Sequence, residues 1–375
     1  MTHMRPVFRI AVTGIAVVLA GLAAVAVLTI GSNGMASTVE GPVAPAGSIP
    51  LAVLGDSNSH SYQDRQTFPA GSPARGGALQ ASTFQWTEVL ARLRPNEIDQ
   101  GPWGVWGQRA RVLVLRETLG LPVEQWPKKE DYRYNLAFTG SNCADLLSSR
   151  QQQAQRLVEL MDLDRERWKR GVVVIRMGTN DWKPVLDQQA RDPSALEVQA
   201  ARTRCADAIG GTVALIRAAH PSTRILLVGI SNEADDPAFH ARWQSAAESA
   251  NIDKALDGFN AAIRDIAKHH PNVAFFDDQA WSKSRWGSRD PAGKPAFKTL
   301  VIGSLRVTNT AGDTPNNALL ADSHYGLVAN ALWAQSLVAR LNEAFGLKLT
   351  PISDAEVLRF LETAIGTPKA RAPGS

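Results

Sequence analysis

Five short apolar runs punctuate the chain: "SIPLAVLG", "YRYNLAF", "GVVVIRMG", "TRILLVGIS" and "NVAFFDD". Each has the length of a strand, and several are apolar at consecutive positions, which fits burial on both faces. Around them lie longer segments with apolar residues spaced at threes and fours, the helical period. These are "TFQWTEVLARL", "CADLLSSRQQQAQRLVELMDL", "EVQAARTRCADAIGGTVALIRAAH", "NIDKALDGFNAAIRDIAKHH", "YGLVANALWAQSLVARLNEAF" and "ISDAEVLRFLETAIG". Strand alternating with helix predicts a three-layer α/β/α body, with a mostly parallel sheet of about five strands and helices on both sides. Two connections exceed ordinary length, at residues 60–81 and 279–320, and a third insertion around "DQGPWGVWGQRARVLVLRETLGLPVEQWP" has no clear period.

Three strands end in polar, Gly-containing turns: Gly55-Asp56-Ser57-Asn58-Ser59, "NLAFTGSN" and Gly178-Thr179-Asn180-Asp181. Such residues are ordinary turn formers. In a parallel sheet, however, all three turns emerge on one edge, where open α/β sheets place their ligands. Acyl transfer needs a hydroxyl nucleophile, a base, and donors aimed at the developing oxyanion. Ser57 supplies a hydroxyl and a backbone N–H. Gly140 lacks a Cβ and lets a second backbone N–H approach closely, and the Asn180 amide is a third donor.

Seven histidines are candidates for the base. His324 stands out, in a polar turn opening "YGLVANALW", with Asp322 two residues before it. An Asp that accepts from the imidazole fixes its tautomer and stabilises the imidazolium. Asp322 or Ser323 also reads as a helix cap, and both roles are compatible. His60, three residues beyond Ser57, is expected as a substrate contact. Trp182, beside Asn180, is expected to help form a sugar-stacking surface with Trp103, Trp106, Trp281 and Trp286, against the alternative that these rings only bury area.

At the N-terminus, Arg5 and Arg9 precede an uncharged, mostly apolar run at 10–30, long enough as a helix to cross about 30 Å of bilayer. The expected organisation is a membrane anchor or signal at 1–30, with a retained anchor favoured, a flexible linker at 31–48, one catalytic domain at 49–365 and a tail at 366–375. The basic end stays in the cytoplasm and the body is exported, periplasmic or extracellular. Two cysteines, Cys143 and Cys205, suit an oxidising compartment, either bridged or as two buried thiols. A net charge of +4 over 375 residues, with no long basic block, gives nucleic-acid binding no support. No His/Cys metal spacing or phosphate-binding glycine loop occurs, so no cofactor is expected.

Taken together, the blocks resemble those of the SGNH, or GDSL-type, hydrolase superfamily. Gly55-Asp56-Ser57-Asn58-Ser59 resembles its nucleophile block, "NLAFTGS" its glycine block, "GTND" its asparagine block and "DSH" its last block, in the family's order over residues 51–345. The resemblance implies Ser57 as nucleophile, the Ser57 amide with Gly140 and Asn180 as oxyanion hole, and His324 as base. It departs at the acid: the family more often places Asp three residues before the His, where this chain has Ala321, and Asp322 sits one closer. The implied activity is ester hydrolysis through an acyl-enzyme, on a glycan O-acetyl group or a lipid ester. The same site also suits an O-acyltransferase with a glycan acceptor, and an inactive glycan-binding envelope protein is the remaining alternative.

Overall fold

The computed structural model describes residues 45, 47–67, 77–120 and 125–366. The apolar run at 10–30, most of the linker and the tail beyond 366 lie outside the described residues. Among the described residues no helix is long and apolar enough to cross a membrane.

Strands β1 (Ile49–Gly55), β2 (Ile98–Asp99), β3 (Trp103–Trp106) and β4 (Lys129–Tyr132) come first. Next are β5 (Val172–Arg176), β6 (Arg224–Val228) and β7 (Val273–Phe276). The late insertion carries β8 (Gly287–Arg289), β9 (Pro295–Phe297), β10 (Thr299–Ile302), β11 (Leu305–Ala311) and β12 (Asn317–Leu319). Five of these form the main sheet in the order β2-β1-β5-β6-β7, every pair parallel. The expected three-layer α/β/α fold is therefore the observed one.

Alternation within the strands builds two cores, because successive side chains point to opposite faces. Leu51, Val53, Val172, Val174, Leu226 and Val228 face the helices Trp86–Leu93, Leu327–Phe345 and Asp354–Gly366. Ala52, Leu54, Val173, Ile175, Ile225 and Leu227 face Gln153–Asp162, Leu196–Ala219 and Ala246–Lys268. With both faces covered, β5 is buried at all five positions, which explains its unbroken apolar run. Strand order reverses at β1, since the chain steps out to β2 and later returns to β5 on the other side. The carboxyl ends of β1 and β5 flank that switch point, where a crevice opens in such sheets.

Two expectations are corrected. "YRYNLAF" is not a sheet strand: its first residue closes β4, which pairs antiparallel with β3 outside the main sheet. Its second half runs along β1 through a single bridge, Val53 to Asn135, with Val53 N–H donating to Tyr134 and Phe138 N–H to Gly55. The fifth strand is instead two-residue β2, too short to show a period. The 279–320 connection is not irregular either. It holds most of a helix (Asp278–Trp286), the β8–β9 pair and the small β10-β11-β12 sheet.

Candidate active site

The first turn is shaped by Asp56. Its Oδ1 accepts the Asn58 N–H at 2.8 Å, and its carbonyl accepts those of Ser59 and His60, both at 3.1 Å. This local bonding bends the chain just past β1 and leaves Ser57 half-buried at the bend. The turn's own carbonyls are clamped from outside. Gln85 Nε2 donates to the Ser57 carbonyl at 3.1 Å, while Trp86 Nε1 and Arg176 Nη1 donate to that of Asn58 at 3.0 and 2.9 Å. Burial pushes the Asp56 carboxyl up, opposed by the Asn58 N–H and by the charges of Arg176 and His324.

The second turn follows Phe138. Gly140 has φ +81° and is exposed, a backbone region open to Gly at no steric cost. The third opens the short helix Thr179–Trp182 after Gly178, whose φ is +132° and whose added Cβ would lie 2.7 Å from the Phe259 ring. Direct bonds stitch the three turns together. Asn58 Nδ2 donates to Thr179 Oγ1 at 3.3 Å, Asn180 Nδ2 to the Ser141 carbonyl at 2.7 Å, and the Thr139 N–H to His60 Nδ1 at 3.0 Å. The backbone N–H groups of Ser57 and Gly140 donate to no group among the described residues, and Asn180 uses one of its two amide hydrogens. Three donors thus remain open on turns that the structure gathers at one edge.

His324 sits between β12 and the helix Leu327–Phe345. The loop closes on itself: Leu320 N–H donates to the His324 carbonyl at 2.7 Å and Ser323 N–H to the Leu320 carbonyl at 2.9 Å, with Ser323 at φ +71°. Asp322 Oδ1 accepts the His324 N–H at 3.2 Å and lies 3.1 Å from Nδ1, in ion-pair contact but out of line for a hydrogen bond to the ring. Both side chains are about a quarter exposed. No hydrogen bond joins His324 to Ser57. The loop is tied to the first turn through neighbours: Tyr62 Oη donates to the Tyr325 carbonyl at 3.0 Å, and Asn330 Nδ2 to the same carbonyl at 2.8 Å. Asn330 Oδ1 in turn accepts the Trp86 N–H at 3.2 Å, and Trp86 holds Asn58.

Two expected substrate contacts are corrected by burial. His60 is 1% exposed, with Nε2 2.8 Å from Asp64 Oδ2 and Nδ1 engaged by Thr139. Trp182 is equally buried, its ring 4.8 Å from that of Phe259. Trp281 and Trp286 belong to the core, Trp106 donates to the Asp131 carbonyl from a buried site, and half-buried Trp103 stands edge-on to Tyr132, so the indoles form no shared open platform. Cys143 and Cys205 are bonded to each other, with Cα atoms 5.1 Å apart. Their cluster with Asp181 offers no thiolate to a metal, since both sulfurs are in the bond.

Arg176 was not singled out from the sequence. Its guanidinium reaches Asn58, pairs with Asp278 at 2.8 Å and lies over the Trp333 ring at 4.6 Å. One charge closing the apolar run "VVVIR" was the available signal, because a buried charge persists only when paired.

Residues 51–294 match the model of the family described as GDSL-like lipase/acylhydrolase. No curated protein matches the chain. Among solved structures, the chain is similar to an extracellular lipase from Streptomyces rimosus, with 16% identity over 79% of this chain and 100% of that one and a TM-score of 0.40. An acetylxylan esterase mutant from Geobacillus stearothermophilus matches with 15% identity over 79% and 95%, TM-score 0.36. A family two carbohydrate esterase from Clostridium thermocellum matches with 12% identity over 82% and 67%, TM-score 0.39.

Proposed function

The chain belongs to the GDSL-like lipase/acylhydrolase family, a serine ester hydrolase, and from that premise we propose that Ser57 is the nucleophile of an exported esterase acting through an acyl-enzyme. The observation that carries the assignment is the set of direct bonds joining the three turns that bear Ser57, Gly140 and Asn180, each with an open N–H donor, together with the half-buried position of Ser57. In this reading Ser57 Oγ attacks the ester carbonyl carbon while His324 Nε2 takes its proton. Asp322, beside Nδ1, stabilises the imidazolium. The three donors hold the tetrahedral oxyanion. Collapse expels the alcohol, which leaves with the proton from His324. Water, deprotonated by the same imidazole, then attacks the acyl-enzyme, releasing the carboxylic acid and restoring the serine. Catalytic hydrogen bonds often tighten only when substrate is bound, so the missing hydrogen bond between Ser57 and His324 is compatible with this reading.

The proposed ester is a glycan O-acetyl group or a lipid ester outside the cytoplasm. Support for export comes from the basic, then apolar, N-terminus and from the Cys143–Cys205 bond, which suits an oxidising compartment. Transfer to a glycan hydroxyl is the second reading, favoured by the two-residue Asp322-to-His324 spacing, which acyltransferase-like members of the superfamily the chain resembles also show.

The test is a panel of p-nitrophenyl acyl esters and acetylated glycans, with and without added sugar acceptor, run on wild type and Ser57→Ala. Hydrolysis should fall by at least about 10⁴-fold in the variant, and a fluorophosphonate should label wild type alone. Equal turnover by both proteins would remove Ser57 from the mechanism, and ester consumption that requires acceptor would replace hydrolysis by transfer.

A further inference from the structure

His60 lies outside the proposed catalytic set, yet its ring is fully committed. Nδ1 accepts the Thr139 N–H at 3.0 Å and lies 2.9 Å from the Thr139 hydroxyl, while Nε2 is 2.8 Å from Asp64 Oδ2. A backbone N–H only donates, so Nδ1 carries no proton and the ring hydrogen sits on Nε2, given to Asp64. Asp64 is itself fixed, its Oδ1 accepting the N–H groups of Gln66 at 2.8 Å, Thr67 at 3.2 Å and Glu130 at 3.0 Å. The imidazole packs on Phe138 with centroids 5.0 Å apart. Phe138 and Thr139 are the two residues before Gly140, and the peptide plane carrying the Gly140 N–H begins at Thr139. Burial pushes the His60 imidazole down despite the nearby carboxylates of Asp64 and Asp131, with Lys129 acting in the same direction as burial. The neutral ring that the geometry requires is thus the favoured form.

We propose that His60 is a positioning residue for the oxyanion hole, holding Thr139 so that the Gly140 N–H stays aimed at the reacting carbonyl. The inference rests on the Ser57 reading above. It gives the buried His60–Asp64 pair a task in catalysis without contact to substrate.

Two near-isosteric variants of the full chain separate this from a merely structural role. In His60→Asn the amide oxygen stands near the place of Nδ1 and keeps an acceptor for Thr139. In His60→Gln the amide nitrogen reaches towards Asp64 and the acceptor is lost. Steady-state hydrolysis of p-nitrophenyl acetate should show kcat lowered about 10²-fold in His60→Gln with KM little changed, the scale of a misplaced donor. His60→Asn should recover most of that loss. Amide hydrogen exchange should quicken at Thr139 in the Gln variant alone. Equal kcat losses in both variants, or none in His60→Gln, would overturn the proposal. Should His60→Gln fail to fold, exchange in wild type decides: Thr139 must be protected and Gly140 not, and equal exchange at the two sinks it. Full activity in Ser57→Ala would remove the nucleophile assignment instead, a result the exchange measurement does not depend on.

Discussion

Glu88 shows how much of the candidate site is held in place by single buried side chains. It lies fully buried under the first turn, where one carboxylate oxygen accepts from the Ser61 hydroxyl and the Gln63 N–H and the other from the Gln85 N–H. Gln85 in turn holds the Ser57 carbonyl. Burial pushes the Glu88 carboxyl up to about 7, against the Ser61 hydroxyl and the charge of Arg92. A carboxyl whose folded pKa lies above its unfolded one binds more protons when folded, so it costs stability as pH rises from the unfolded value towards 7. The full loss is roughly 3 kcal/mol above pH 7 and vanishes below about pH 4. Wild type should therefore show a component of its melting temperature that declines between pH 5 and pH 8 and is missing in Glu88→Gln, as followed by circular dichroism. Parallel profiles for the two proteins would place the titration elsewhere. Ser57, Gly140, Asn180 and His324 could be singled out from the sequence because each sits in a polar motif at an element's end. Glu88 and His60 could not be read correctly there, since nothing in "QWTEVL" or "SNSHSY" reports burial, and burial alone turns a surface carboxylate into a capping group and a loop histidine into a brace.

At the scale of elements, Arg176 joins β5 to the helices behind the site. It pairs with Asp278 at 2.8 Å, both side chains at most 5% exposed, and Asp278 also accepts from Trp333 Nε1 at 2.7 Å. The first turn, the end of β5, the start of the helix Asp278–Trp286 and the helix Leu327–Phe345 thus meet on one guanidinium. Removing one partner of a buried pair leaves the other charge unpaired, at a cost of about 3–5 kcal/mol. Asp278→Ala should lose that much in urea unfolding, whereas Asp278→Asn, which keeps one acceptor oxygen for one of the two neighbours, should lose somewhat less. Similar small losses for both would mean that water reaches the guanidinium. The same scale shows where periodicity works. Strands β1, β5 and β6 were legible because near-continuous burial leaves a continuous apolar run, and β7, half of it buried, because all four of its residues are apolar. β2 was not, at two residues, and neither was the β10-β11-β12 sheet, where β10 and β11 are largely open to solvent and β12 has only three residues. "NLAF" read as a strand because it is extended and buried beside β1, though a single bridge is all the pairing it has.

For the molecule as a whole, the Cys143–Cys205 bond is the longest-range covalent constraint in the described chain, spanning a sequence separation of 62. Cys143 lies three residues past Gly140, in a short helical turn whose N–H donates to Asp181 Oδ2 at 2.8 Å. Cys205 lies within the long helix Leu196–Ala219 that covers one face of the sheet. The bond therefore pins the second turn of the site to the outer layer. Sequence left the pairing open because a separation of 62 says nothing about distance until the sheet is assembled. Closing a loop of that size in the unfolded chain accounts for about 4 kcal/mol on the chain-entropy view. Reduction by dithiothreitol, or the double change of both cysteines to serine, should lower the urea-unfolding free energy by about that amount. The loss should be accompanied by a fall in kcat, since the Gly140 turn is freed at one end. The compartment enters here too. Protein recovered from an oxidising compartment should resist thiol alkylation until reduced, while the same chain made in a reducing cytoplasm should react at both cysteines and unfold at lower urea. Identical stability and thiol reactivity from the two sources would leave the bond without a structural role and would withdraw one of the two supports for the proposed export.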